Sequence, residues 1–471
     1  MTKNWPYYFF PGVFVLLCSA AILSTGVYDS GDGVMHYLFA HYAGAHPSNL
    51  LDTWGKPIYT LLSFPFAHFG YKGSVIFNII CLTLTSYFTW RIAQKLKIPF
   101  CWMAAPLVIF APLALPVSMS ALTEPLFALI LVWSINVLLS GRVGLSAIII
   151  SFLPFARQEG FLILLLFVIY FLTRKDLLTI AFLFTGTVLY SIAGAFHFHD
   201  LFWVIRNNPY VGEKNYGNGS LFEFVLHFKT IWGYALSALM LAGIAFYFFA
   251  KRNNILVHRA EYFFIAGIFF LFLSLHSFFW YKGLFGSLGL HRVMVCTFPL
   301  AVLLGIRGLH FTLLLLKRKP LVMTVGIIAI ALQAYQTWKY NPLPFKITER
   351  EQLMQNVALE LKNRVFPPQP AGFSIYCANP YMAFALETDP FDHDHWKQFT
   401  CTCPEVKFRN GDLVIWDSHF AQFDIPITLQ EMQHDTRFRQ LILDGEIPKD
   451  KSEEENKFAL GVFEYHVEIT K

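Results

Sequence analysis

Charge is what this sequence has least of. Asp, Glu, Lys and Arg supply 14% of its 471 residues and hydrophobic side chains 55%, whereas a soluble domain carries about 25% charged residues. With a mean hydropathy of +0.48, that deficit excludes an ordinary soluble protein and makes the bilayer the solvent for most of the chain. The net charge is only +5, and the basic residues sit in short clusters between apolar runs, so nucleic acid is excluded as a partner. Internal repeats are missing too, and the single charge run, KDKSEEENK at 449–457, reads as a solvated loop.

Cysteine is also scarce. Of the seven, Cys18, Cys81, Cys101 and Cys296 lie in apolar runs, where a thiol behaves as a small hydrophobe. Cys377, Cys401 and Cys403 remain, an odd set that allows at most one disulfide, and no cysteine spacing suits zinc. No small-residue cleavage site follows the first apolar run, Tyr7 to Val27, which therefore reads as a retained helix and not as a removed leader.

What is present is a series of apolar runs. Those long enough to span a bilayer fall near 8–27, 73–92, 99–117, 121–140, 177–196, 229–250, 261–280, 291–312 and 320–338. Two shorter runs, 143–156 and 159–173, flank Arg157, Gln158 and Glu159 as a re-entering hairpin or two short spans. Placing Lys3 inside also puts Arg91, Lys95, Lys97, Arg142, Arg174, Lys175, Lys251, Arg252, Arg259, Lys317, Arg318 and Lys319 inside. About eleven spans then leave the N-terminus cytoplasmic and the C-terminus outside. The expected fold is an α-helical polytopic membrane core over 1–339, followed by a small α/β extracytoplasmic domain over 340–471. In that domain Thr348 and Glu351 suit a capping box, as do Thr428 and Glu431 a second helix start, and GFSIY, DLVIW, FRQLIL and ALGVFEYH suit strands.

The outside loops hold nearly all the unusual polar residues. The first, from Tyr28 to Lys72, carries Asp29, Asp32, His36, His41, His46, Asp52, Trp54 and Lys56. A helix beginning near Asp32 puts Asp32 and His36 on one face, where Asp32 can serve as a general base; N-capping by Asp29 or Asp32 is the plainer alternative. Glu124 in SALTEPLFAL either caps the helix it opens or lines a site. Arg157 and Glu159 interrupt the hairpin, and ionisable groups at such depth face a cavity or each other. Arg206, Lys214, Lys282, His291 and Arg292 are cations at the membrane edge, suited to a phosphate or to lipid anchoring. The glycines at 283, 286 and 289 are nothing like a P-loop. FDHDHW at 391–396 lacks fixed ligand geometry, so no metal centre is assigned, though a divalent ion remains compatible. Asn218, Gly219 and Ser220 form a glycosylation sequon that matters only in a eukaryotic host.

The order of these elements resembles the C-type glycosyltransferase superfamily, in particular the branch of protein O-mannosyltransferases and lipid A aminoarabinose transferases. The acidic first-loop motif falls at Asp29 to Asp32, the Ser-Glu-Pro-like motif at Thr123 to Pro125, and the Arg-Pro-Glu-Gly-like turn at Arg157 to Gly160. Asp-Ser-Gly-Asp replaces an adjacent acidic pair, and Gln158 stands where proline is usual. The loop phrase GDGVMHYLFAHYAGAHP and the following WGKP are similar to those of bacterial glycosyltransferases of this type. The resemblance implies a bacterial plasma-membrane enzyme that moves a sugar from a polyprenyl-phosphate donor to a glycan, lipid or protein hydroxyl by inverting displacement. Asp32 or Asp29 would be the base and Arg206, Lys282, His291 and Arg292 would meet the donor phosphate. His36, Glu124, Arg157 and Glu159 would line the site. A polysaccharide polymerase or ligase, and a lipid or solute transporter, are the rival readings. A transporter would place its polar groups at mid-membrane on broken, repeated helices.

Overall fold

The computed structural model describes residues 4–207, 217–364, 373–398, 407–420, 427–448, 453 and 457–467. Lys3, Lys214, Cys401 and Cys403 lie outside the described residues. About 66% of the described residues are helical, with a small sheet near the C-terminus. The chain forms two compact units, one from Met1–Ser24 and Pro47–Phe345, the other from Thr25–His46 and Lys346–Lys471. The first stretch of the long loop thus folds with the C-terminal residues.

Among the described residues of the first unit, seven helices are long and apolar enough to cross a membrane. They are Trp5–Leu23, Tyr71–Lys95, Leu177–Phe198, Tyr234–Arg252, Arg259–Lys282, His291–Leu316 and Lys319–Tyr340. The remaining runs of the expected eleven are shorter. The run at 99–117 breaks into Cys101–Met103, Ala104–Ile109 and Ala114–Ser118. Pro106, Pro112 and Pro116 lie in that run, and proline offers no N–H and crowds the preceding turn. Glu124–Leu138, Val143–Ala156 and Gly160–Thr173 are shorter apolar helices, as is Pro57–Ala67 within the expected first loop.

Glycine sets the tightest helix contact. The helix Tyr234–Arg252 packs along Phe298–Leu316. A methyl on Gly243 would lie 1.9 Å from the Leu304 carbonyl oxygen, and one on Gly308 would lie 2.0 Å from that of Leu239. Backbones therefore touch, which maximises van der Waals contact where lipid supplies no hydrophobic drive between helices. Elsewhere in this unit Glu261 and Arg307, 1% and 6% exposed, form a fork. Nε of Arg307 donates to Oε1 of Glu261 at 2.6 Å and Nη2 donates to Oε2 at 2.7 Å. The Tyr247 hydroxyl donates to the same Oε1 at 2.9 Å, so a charge pair expensive in an apolar interior is internally satisfied.

Among the described residues the second unit holds five strands: β1 (Ile375–Cys377), β2 (Trp396–Gln398), β3 (Leu413–Asp417), β4 (Phe438–Gly445) and β5 (Ala459–Tyr465). Their order is β2-β1-β3-β5-β4, with β1 parallel to β2 and β3 and β5 antiparallel to β3 and β4. One face buries Tyr376, Val414, Trp416, Met432, Phe438 and Phe463 together. Both expected caps form: Thr348 and Glu351 exchange backbone and side-chain hydrogen bonds, and Thr428 and Glu431 do the same. Glu351 also accepts from the Val27 N–H at 3.1 Å, which ties the segment 25–46 to the helix Glu349–Arg364. Tyr37 meets Phe384 edge-on at 5.9 Å, and His46 Nε2 lies 2.8 Å from Asp389 Oδ2.

Candidate functional site

The most concentrated chemistry of the first unit begins at a buried amide. Asn78, inside the helix Tyr71–Lys95, donates through Nδ2 to the carbonyl oxygens of Ser120 and Leu122, each at 2.7 Å. These bonds fix the turn that delivers Glu124, the first residue of Glu124–Leu138. Thr123 makes no side-chain cap on that helix. The fully buried Glu124 instead accepts through Oε1 from Nη1 of Arg157 at 2.8 Å.

Arg157 follows the short helix Leu153–Ala156, with extended backbone at φ −162°. The turn it opens closes tightly, because a Cβ on Gly160 would lie 2.5 Å from the Pro154 nitrogen. Glycine is therefore the residue this approach accepts. Nη2 of Arg157 then donates to Oε1 of Glu159 at 3.1 Å, and His276 Nε2 lies 3.7 Å from the same oxygen. Arg292 adds its Nε 3.6 Å from Oε1 of Glu124, an ion-pair distance beyond hydrogen bonding. Two guanidinium groups and two carboxylates thus converge, with formal charges that cancel. A narrow crevice beside Glu159 and His276 is lined by Leu162, Ile163, Leu271, Phe272, Leu275 and Phe279. Such a cluster can hold an anionic oxygen by exchanging a carboxylate contact for it.

The other candidates are dispersed. Arg206 is exposed and pairs with Asp200 at 2.9 Å; Lys282 is exposed, its Nζ 5.0 Å from the centre of the Tyr281 ring. His291 reaches Glu223 at 3.4 Å. In the second unit Asp32 opens the helix Asp32–His41, with His36 one turn on along the same face and buried. Asp29 Oδ1 accepts from the Gly33 N–H at 2.8 Å, satisfying one of the first-turn amides. In FDHDHW, Asp392 and His395 pair at 2.8 Å on the surface.

Three residues escaped the sequence reading: His276, Glu223 and His227, whose Nδ1 lies 3.0 Å from Oε1 of Glu223. A histidine alone in an apolar run and the Glu-to-His spacing of four were the available signals. No protein-family model matches the chain, and no curated protein matches it.

Proposed function

We propose that the chain is a C-type glycosyltransferase that moves a sugar from a polyprenyl-phosphate donor to an acceptor hydroxyl on the non-cytoplasmic face of a bacterial plasma membrane. The observation that carries this reading is the meeting of two sequence motifs 33 residues apart: Glu124 of Thr123–Pro125 is bonded to Arg157 of Arg157–Gly160, with Arg292 alongside. In this reading Arg292, supported by Arg157, meets the charge that develops on the departing lipid phosphate. Fixed cations aimed at developing charge are a large catalytic contribution in a dry site. Glu124 and Glu159 hold the guanidinium groups in place before donor arrives. The base is Asp32, with His36 one turn on along the same helix face to orient it. Asp32 accepts the acceptor hydroxyl's proton, the oxygen bonds to the anomeric carbon, and the carbon–oxygen bond to the phosphate breaks with its electron pair leaving on the phosphate. About eleven crossings, counting the short helices, complete the topology.

The interrupted helices around Arg157 also suit a transport path, since carriers place ionised groups at helix breaks. One assay separates the two readings. Purified protein in nanodiscs is incubated with a panel of polyprenyl-phosphate sugars, and loss of donor is followed for wild type, Asp32→Asn and Arg292→Ala. The expected losses are about 10²–10⁴-fold for the base and about 10²–10³-fold for the cation. Donor turnover unchanged in Asp32→Asn removes the base assignment. No turnover with any donor by a folded wild type favours transport.

A further inference from the structure

Two loops of the first unit bring together three side chains outside the Glu124–Arg157 cluster, among them His291, which the sequence reading places at the donor phosphate. Glu223 opens the short helix Glu223–Leu226, His227 follows it, and His291 starts the turn His291–Thr297. Oε1 of Glu223 lies 3.0 Å from Nδ1 of His227 and 3.4 Å from Nε2 of His291. The two imidazoles stand 4.5 Å apart, tilted by 34°, and one ligand atom from each of the three residues lies within 4.8 Å of the others. Nδ1 of His227 also lies 2.9 Å from the Glu223 carbonyl oxygen, a contact this nitrogen exchanges for the ion when it serves as a ligand. Ligands of one tetrahedral ion at about 2.0–2.1 Å are separated by about 3.3 Å, close to the two distances from the carboxylate oxygen.

We propose that Glu223, His227 and His291 bind a divalent transition-metal ion, with Zn²⁺ the best fit, and leave a further coordination position open to an oxygen ligand. Two imidazoles and one carboxylate are donors for zinc and its neighbours, whereas calcium and magnesium take oxygen ligands. Three protein ligands and one open position is the pattern of reactive zinc sites, as four is of structural ones. The side chains are 22%, 42% and 30% exposed for Glu223, His227 and His291, so an ion can enter. Phe224 packs near His291 and near His276, ring centres 6.2 Å away in each case, and fixes the inner side. Sequence alone offered only the Glu223-to-His227 spacing of four, because the third ligand, His291, comes from a segment more than sixty residues away.

The experiment uses tag-free, full-length protein in detergent, stripped with chelator and titrated with Zn²⁺ by calorimetry and with Co²⁺ by visible absorption. Wild type is expected to take up about one ion per chain and to give the Co²⁺ spectrum of a four- or five-coordinate site. His291→Ala and Glu223→Gln should each weaken binding at least about 10–100-fold, the loss that even an outer-shell change brings. His395→Ala, on a surface loop of the other unit, should leave it unchanged. Failure of wild type to bind either ion overturns the proposal with no variant needed, and so does His291→Ala binding as tightly as wild type. Neither readout involves a sugar donor, so the site stands or falls apart from the transferase reading.

Discussion

Among its described residues the first unit holds two buried ion clusters, and removing both charges of each tests which of them only holds the fold together. Glu261 and Arg307 form a bidentate pair with the Tyr247 hydroxyl on Oε1; Nη1 of Arg307 also lies 3.1 Å from His310 Nδ1, and Nη2 donates to the Leu96 carbonyl oxygen at 3.4 Å. Arg307→Met strands the Glu261 carboxylate, and Glu261→Leu strands the guanidinium, at about 3–5 kcal/mol each. Glu261→Leu/Arg307→Met strands neither and replaces the fork with apolar volume, a change that is often close to neutral. The double variant should therefore be more stable than either single one, with a coupling energy of about 3 kcal/mol or more. The assay is SDS-driven unfolding in mixed micelles, run as a double-mutant cycle. Single effects that add to within about 0.5 kcal/mol refute the argument, because they would mean that neither charge depends on the other for its solvation. Donor turnover should survive in the double variant and vanish in the corresponding Glu124→Leu/Arg157→Met, whatever the stability of the latter.

Two further outcomes follow from single contacts. Gly308→Ala places a methyl about where the Leu239 carbonyl oxygen now sits, 2.0 Å away, so the Tyr234–Arg252 and Phe298–Leu316 helices must part, at a cost of about 1–3 kcal/mol. Gly12→Ala, with nothing within 4 Å, is the matched control, and equal stability of the two variants by the same assay would contradict the close-packing account. In the second unit, burial raises the Glu351 carboxyl above its usual range, although the N–H groups of Thr348 and Val27 oppose the shift. A folded pKa above the unfolded one means that its contribution to stability is fully present below about pH 4.3, the unfolded value, and is lost as pH rises through the folded one. Glu351→Gln should flatten that part of the stability profile, and an unchanged slope would remove the burial argument.

How much of this was legible in the sequence depended on whether the signal was local. The caps at Thr348 and Thr428 were legible because each is complete within four residues, and β1, β3, β4 and β5 because each holds a short apolar run. β2 was not, since Trp396–Gln398 has three residues and only Trp396 is apolar. The run at 99–117 looked like a span because hydropathy averages over its four prolines, and the average is blind to a missing N–H. Pairing of distant charges had weaker signals. Glu261 and Arg307 stand 46 residues apart, each at or inside an apolar run, and a lone ionised group there is costly enough to imply a partner of opposite sign. That inference yields the existence of a pair and not its members, because several residues carry either sign.

The same limit explains why Glu124 and Arg157 were readable singly and not as a unit. What joins them is Asn78, whose amide fixes the turn before Glu124, and Gly160, whose missing side chain lets the turn after Arg157 close on Pro154. Neither residue carries charge or reactivity, so a search for chemistry passes over both. Yet each sets the position of a carboxylate or a guanidinium to within the tolerance that a salt bridge at 2.8 Å demands. Asn78→Leu should therefore damage donor turnover nearly as much as Glu124→Gln does while the helix Tyr71–Lys95 remains intact. An Asn78→Leu enzyme with wild-type turnover would show that the turn needs no amide to hold it.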